Sequence, residues 1–193
     1  KSKMTDCILT SLITNCSEKD LELYLIQVAK SDLVLYEDVK QCRAFADDLE
    51  KSLVVLSHIE EIMNERNDTI RPYRKKARAD NYQDYNKINA TDKMSTIYIV
   101  FDEMSSLFQT KGCTKEQKEI KEQIVASVEK IAQYGAGLGI FLLCSLQRPT
   151  IDNISSFIKS QCTCKISFAS SFSAFKRLRT CTIAILMMSA AVP

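Results

Sequence analysis

The sequence predicts an α/β fold in which a mostly parallel sheet carries helices on both faces. Near-continuous apolar runs, LELYLIQV, IYIVF and IFLLCSL, alternate with segments whose apolar residues step by three or four. That alternation marks strands buried on both sides by crossover helices. The 193 residues include only four Gly and three Pro, with 46% hydrophobic and 26% charged residues, which suits one core-forming domain rather than a linker-rich chain. Polar residues also fall at the carboxyl ends of two apolar runs, Asp102-Glu103 and Gln147, where open parallel sheets collect ligands.

Taken in order, Met4, Cys7, Ile8 and Leu12 recur at helical spacing and predict a helix over 3–15. Leu21 to Val28 reads as a buried strand. Phe45, Leu49, Leu53, Leu56, Ile59 and Met63 then trace a long amphipathic helix, with Ala46-Asp47-Asp48 placing acids in its first turn, where the helix dipole favours them. From Arg66 to Asn89 the chain is polar and basic, with Tyr73, Tyr82 and Tyr85 interspersed. Ile97 to Asp102 is the next strand, and 109–118 reads as a surface loop. Ile120, Ile124, Val128 and Ile131 mark another helix, which GAGLG (135–139) ends before the strand IFLLCSLQ. A short helix near 151–160 and a strand near 163–169 complete the pattern.

Composition excludes several functions. A net charge of +2 names no partner, and a single histidine, His58, rules out a multi-histidine metal centre. His58 reads as a partly exposed helix residue. Eight cysteines are scattered without a CxxC pair. Cys162 and Cys164 form CxC, whose alternation along a strand would put both thiols on one face, but no second pair completes a tetrahedral zinc site. They read as reduced, small apolar residues of a cytosolic protein. The chain opens with KSKMTD rather than a signal peptide, and its longest apolar stretch, Ile183 to Val192, falls short of the ~20 residues of a membrane span.

Three motifs carry chemistry. In IYIVFDE, five apolar residues run into two carboxylates, Asp102 and Glu103. Acids ending a buried strand are costly unless they meet a cation or a reacting group. A Walker B element solves this with Mg²⁺ and a nucleotide: the first acid steadies the metal and the second sets up the attacking water. An acidic helix start after a strand is the ordinary alternative. Lys1-Ser2, followed by a helix and then a strand, matches the end of a P-loop, GxxxxGK[ST], with Lys1 on the β/γ-phosphates and Ser2 on Mg²⁺. A chance Lys-Ser is the alternative, and the order of the later motifs favours the P-loop reading. In LLCSLQRP, Leu142 to Pro149, a strand ending in Gln147 puts an amide beside the acids, able to sense a γ-phosphate or orient water; a turn-forming Gln is the alternative.

Together, IYIVFDEMSSLF, the helix ending GAGLGI and FLLCSLQRPTIDNISSFIKSQCTCKISF resemble the core of FtsK/SpoIIIE-type DNA translocases. LELYLIQVAKSDLVLYEDV is similar to that family's second strand and loop, and its QVAKSDL form resembles TcpA-like coupling ATPases of conjugative plasmids and transposons. The resemblance covers roughly residues 1 to 170 and stops near Ser173. It implies an incomplete RecA-like ATPase domain over 1–172 and a divergent tail over 173–193. It also implies a homo-hexameric ring that spends ATP with Mg²⁺ to pump DNA, at the cytoplasmic face of membrane-associated transfer or division machinery. By position, Lys1 and Ser2 match the Walker A end, Asp102 and Glu103 match Walker B, and Gln147 matches the glutamine of a TQRP segment, with Ser145 where a small residue such as alanine is usual. Ala136 and Lys165 stand where the family carries arginines, so the arginine finger stays open between Arg66 and Arg148.

Beginning at Lys1, these residues lack the P-loop glycines and the strand before them. Weak or absent ATP binding and no activity are therefore expected of them alone. The basic run Arg71, Arg74, Lys75, Lys76 and Arg78 is either a DNA-phosphate surface or a solvated helix face. The alternative to a motor is a degenerate ATPase-fold domain that serves as a scaffold or interaction module in a transfer or secretion complex.

Overall fold

The apolar runs become the central strands of one six-stranded sheet in a computed structural model that describes residues 2–28, 32–146, 155–168 and 183–187. The strands are β1 (Leu21–Gln27), β2 (Cys42–Ala46), β3 (Thr96–Asp102), β4 (Ile140–Leu146), β5 (Cys164–Phe168) and β6 (Ile183–Met187). They lie in the order β2-β1-β3-β4-β6-β5. The first four are parallel, and β6 runs antiparallel to both β4 and β5. The helices are α1 (Ser2–Asn15), α2 (Leu49–Ala77), α3 (Tyr82–Ile88), α4 (Ser105–Phe108), α5 (Lys115–Tyr134) and α6 (Ser156–Gln161).

Strand alternation sorts the core into two layers. Leu21, Leu23 and Leu25 of β1, Val100 of β3 and Leu143 of β4 pack with Leu9 and its neighbours on α1 and with Leu33 of a 3₁₀ turn, Asp32–Tyr36. The opposite residues, Tyr24, Ile26, Ile97, Ile99, Phe101, Leu142 and Cys144, pack against α2, α3, α5 and α6. Burial on both faces explains why these strands read as continuous apolar runs rather than as alternating ones.

Several boundaries differ from the sequence expectation. Phe45 and Ala46 belong to β2, and α2 begins only at Leu49, capped by the Asp48 carboxylate accepting from Lys51 N–H at 2.7 Å. Asp48 is therefore the cap and not a first-turn acid. The edge strand CRAFA is short, and its apolar residues merge with the helical periodicity that follows. The polar stretch after Arg66 is largely helix: α2 continues to Ala77, and α3 follows an Asn81 cap. The 109–118 loop ends early because Thr114 and Gln117 form a capping box that starts α5 at Lys115. Cys162 caps α6 and is buried, whereas Cys164 opens β5 and is exposed, so the CxC thiols do not share a face. The residues 183–187 form a strand that the sequence did not announce.

Candidate functional site

The site is built from the carboxyl ends of adjacent strands. Gln27 of β1 stands opposite Asp102 of β3 in register. Phe101 stands opposite Cys144, which sets the next residue of β4, Ser145, level with Asp102. A polar row, Gln27, Asp102 and Ser145, thus crosses the edge of an otherwise apolar sheet. Asp102 has the parity of Val100, placing it on the face covered by α1. The Gln41 side-chain amide donates to the carbonyls of Ile13 and Cys16, which ties the end of α1 to the start of β2. The helix therefore runs back along the sheet, and its first turn, at Ser2, lies at the same carboxyl edge and face as Asp102. A helix N-terminus there presents unpaired N–H groups and a positive dipole end to any anion. Lys1 and Gln147 lie outside the described residues, as do the side chain of Ser2 and all of Arg148.

The two acids are held differently. Asp102 is 9% exposed, and its Oδ1 accepts the Ser145 hydroxyl at 2.5 Å. Glu103 leaves the strand with φ of 62°, in the left-handed region. For a non-glycine residue that conformation costs on the order of 1–3 kcal/mol and persists only where surrounding bonds over-determine it. Here they do. Glu103 N–H donates to Ser145 Oγ at 3.2 Å, and Met104 N–H donates to the Ser145 carbonyl at 3.0 Å. The Glu103 carbonyl accepts Ser106 N–H at 3.1 Å and the Ser106 hydroxyl at 3.0 Å. The Ser105 hydroxyl donates to Glu103 Oε1. The left-handed turn swings the Glu103 side chain off the strand path and out of the sheet's alternation, so the two adjacent carboxylates point to different places.

A buried lysine completes the support. Lys121 of α5 is 8% exposed and donates to the carbonyls of Ser106 at 2.8 Å and Gln109 at 2.6 Å, fastening α4 to α5. Sequence reading missed Lys121, Ser105 and the bonding role of Ser145. Their signals were a lysine three residues before Ile124 on an otherwise apolar stripe, the Met-Ser-Ser after the acids, and a serine inside IFLLCSL.

Other candidates lie elsewhere. Arg66 is 8% exposed, and its guanidinium donates to Leu138 O at 2.8 Å and Ser95 Oγ at 2.9 Å, while Ser95 donates to Glu22 at 2.7 Å. It is a structural brace, so Arg66 is withdrawn as an arginine finger. Its partners Leu138 and Ser95 precede β4 and β3, showing that α2 has already reached the amino edge of the sheet at residue 66. The 29 residues of α2 span about 43 Å, against about 23 Å for a seven-residue strand. Exposed Arg71, Arg74, Lys75, Lys76 and Arg78 therefore project beyond the edge opposite the acids. Arg74, Lys75 and Lys76 occupy the last turn, where cations also complement the dipole. A cleft of about 300 Å³ beside them is lined by Asn64, Asn67, Arg74, Lys130 and Tyr134. His58 is exposed on α2, 3.7 Å from Glu61, away from the acids. Among the described residues, no group of three or more His, Cys, Asp or Glu side chains could hold a metal ion by itself, and no helix is long and apolar enough to cross a membrane.

No protein-family model matches the chain. It is 25% identical over 169 residues to a DNA translocase FtsK of Helicobacter pylori strain J99, which takes in 87% of this chain and 19% of that protein. It is 25% identical over 185 residues to the DNA translocase FtsK of Corynebacterium efficiens, covering 89% of this chain and 18% of that one. The chain thus spans about a fifth of the length of the curated relatives it matches. Among solved structures, the pCW3 conjugation coupling protein TcpA, a monomer form with ATPgS, superposes with a TM-score of 0.70 at 20% identity, over 83% of this chain and 43% of that one. EssC (ATPases 2 and 3) from Geobacillus thermodenitrificans gives a TM-score of 0.70 at 18% identity, over 97% of this chain and 36% of that one. EccC (ATPases 2 and 3) from Thermomonospora curvata, in complex with a signal sequence peptide, gives 0.64 at 16% identity, over 82% of this chain and 27% of that one.

Proposed function

We propose, for a chain that is a sequence relative of the FtsK/SpoIIIE-type ATPases and carries their α/β fold, that it contributes the acid half of an ATP-hydrolysing site in a ring motor that moves DNA. The observation that carries this reading is the Asp102-Glu103 pair at the carboxyl end of β3, gripped by Ser145 of β4, with Asp102 on the sheet face that α1 covers. The carboxylate and hydroxyl oxygens there are hard donors of the kind Mg²⁺ takes, which is commonly held by one or two carboxylates, waters and substrate phosphates. Asp102 and Ser2 would hold that ion, and when bound it neutralises charge on the phosphates. Glu103 orients the attacking water and takes its proton. Lys1 binds the β/γ-phosphates, and Gln147 senses loss of the γ-phosphate. The residues 1–172 carry the motor's candidate site, and 183–187 add strand β6 to the same sheet.

The basic end of α2, Arg71, Arg74, Lys75, Lys76 and Arg78, offers DNA a charge-complementary surface at the far edge. The motor is a homo-hexamer at the cytoplasmic face of membrane-associated transfer machinery. A second reading, a scaffold in a secretion complex, draws on the fold shared with EccC and EssC. Retention of both acids favours the motor, since a pure scaffold has no use for them. The test is nucleotide hydrolysis by the full-length natural protein, with and without double-stranded DNA, beside Glu103→Gln. DNA-stimulated hydrolysis abolished by Glu103→Gln supports the motor. Absence of hydrolysis points to the scaffold, hydrolysis indifferent to DNA overturns the DNA-moving part of the reading, and hydrolysis indifferent to Glu103→Gln removes that residue from its role.

A further inference from the structure

The cleft beside the basic end of α2 has a lining with its own chemistry. Asn64, Asn67, Arg71 and Arg74 follow one another at intervals of three and four, so they share one face of α2. The helical rise puts about 15 Å between Asn64 and Arg74. Asn64, Asn67 and Arg74 line the cleft of about 300 Å³, whose floor is the buried pair Met63 and Leu138. Tyr134, the last residue of α5, stands at its wall and is 56% exposed. Lys130 also lines it, but Glu60 Oε2 holds its ammonium at 2.5 Å. Among the described residues, no carboxylate lines the cleft, Arg74 has no carboxylate partner and neither asparagine amide is hydrogen-bonded.

That lining selects a ligand. A guanidinium pairs with a phosphate, and an aromatic face stacks on a planar ring. An amide both donates to and accepts from the polar edge of such a ring. One nucleotide carries all three features. In a duplex the base edges are paired and the faces stacked, so a base enters a side cleft only by leaving the stack. A single strand offers its bases without that cost. We infer that the cleft is a base slot for single-stranded DNA. The phosphates follow Arg71 and Arg74, one base stacks on Tyr134, and Asn64 and Asn67 bond its edge. A duplex meets only the basic row. This rests on the reading of the basic end of α2 as a DNA surface, and it adds to that surface a means of telling single strands from duplexes.

The test uses the full-length natural protein and two labelled probes, an oligothymidylate and a duplex of equal length. Fluorescence anisotropy over a salt series measures binding, with thermal melts as a control for folding. Tyr134→Ala should weaken single-strand binding about 5- to 150-fold, the worth of one stacked base, and leave duplex binding within about twofold. Tyr134→Phe keeps the ring and should keep the parent affinity. Stacking releases no counterions, so the single-strand slope of log K against log salt should not change in Tyr134→Ala. In Arg74→Gln that slope should fall by about 0.7. Gly137→Gln crowds the cleft by a second route. A Cβ at Gly137 meets no atom within 4 Å, so the variant should fold like the parent and lose single-strand binding alone. The inference is overturned if Tyr134→Ala and Gly137→Gln leave single-strand binding unchanged or weaken both probes alike. It is also overturned if affinity falls only in step with a lowered melting temperature. If Arg74→Gln changes neither affinity nor slope for either probe, the reading of this face as a DNA surface falls first and the inference falls with it.

Discussion

Arg66 and Cys162 show how single residues are decided by surroundings that lie far away in sequence. Burial lowers the Arg66 pKa while the nearby Glu22 carboxylate raises it, and the guanidinium serves the Leu138 carbonyl and Ser95. Removing it strands a buried carbonyl and a Ser–Glu pair, so Arg66→Ala should lower stability by about 2–3 kcal/mol in urea denaturation. Burial pushes the Cys162 thiol up to about 11 from 9.0. Below about pH 9 both folded and unfolded chains keep that proton. Above it the unfolded thiol ionises first, so stability is lost as pH rises from 9.0 towards about 11. The loss attributable to Cys162 is about 2–3 kcal/mol. Cys144, fully buried beside it and also raised, acts in the same direction. Urea melts across that range should show the slope, and Cys162→Ala should flatten part of it. Asp102-Glu103 were legible as candidate acids because charge at the end of an apolar run is costly to bury, although an acidic helix start gives the same local pattern. The bonds from Ser145, Ser105 and Lys121 were not, because each joins residues that no local periodicity connects.

At the scale of elements, the turns that aim the strands matter most. GAGLG was legible as a helix stop: α5 ends at Tyr134, and the last glycine of the segment closes the 3₁₀ turn Ala136–Leu138 that follows. Gly139 has φ of 77°, and a Cβ there would sit 2.8 Å from the Tyr82 ring. Gly139→Ala should therefore cost about 1–3 kcal/mol and loosen the entry into β4. Differential scanning calorimetry would report it as a lowered Tm. The four-residue helix α4 is too short to be stable by itself and depends on the two Lys121 bonds to its end. Lys121→Met should leave the sheet protected but speed amide exchange across 103–109, which hydrogen-exchange mass spectrometry resolves. The long helices and central strands followed from periodicity and burial. The edge strand β2 did not, because five residues give too little pattern to separate a strand from the helix start beside it.

At the scale of the whole molecule, the acids and the basic end of α2 occupy opposite edges of the sheet. If that basic end meets DNA, replacing Arg71, Arg74 and Arg78 by Gln should weaken binding to all sequences alike. The slope of log K against log salt should fall by about 0.9 for each phosphate that the variant no longer neutralises. Fluorescence anisotropy over a salt series would measure it, and an unchanged slope would remove this face from DNA binding. By itself the sequence determined the α/β class, the two-sided burial of β1, β3 and β4, and the pair of acids at a strand end. Those properties are written in local periodicity and in the high cost of burying charge. Only the tertiary structure decided that Ser145 is the clasp of the acid pair, that Glu103 takes a left-handed turn, that Arg66 is a brace, and that β6 enters the sheet between β4 and β5. Each depends on residues brought together across tens of positions by strand register and helix packing, which no short window of sequence contains.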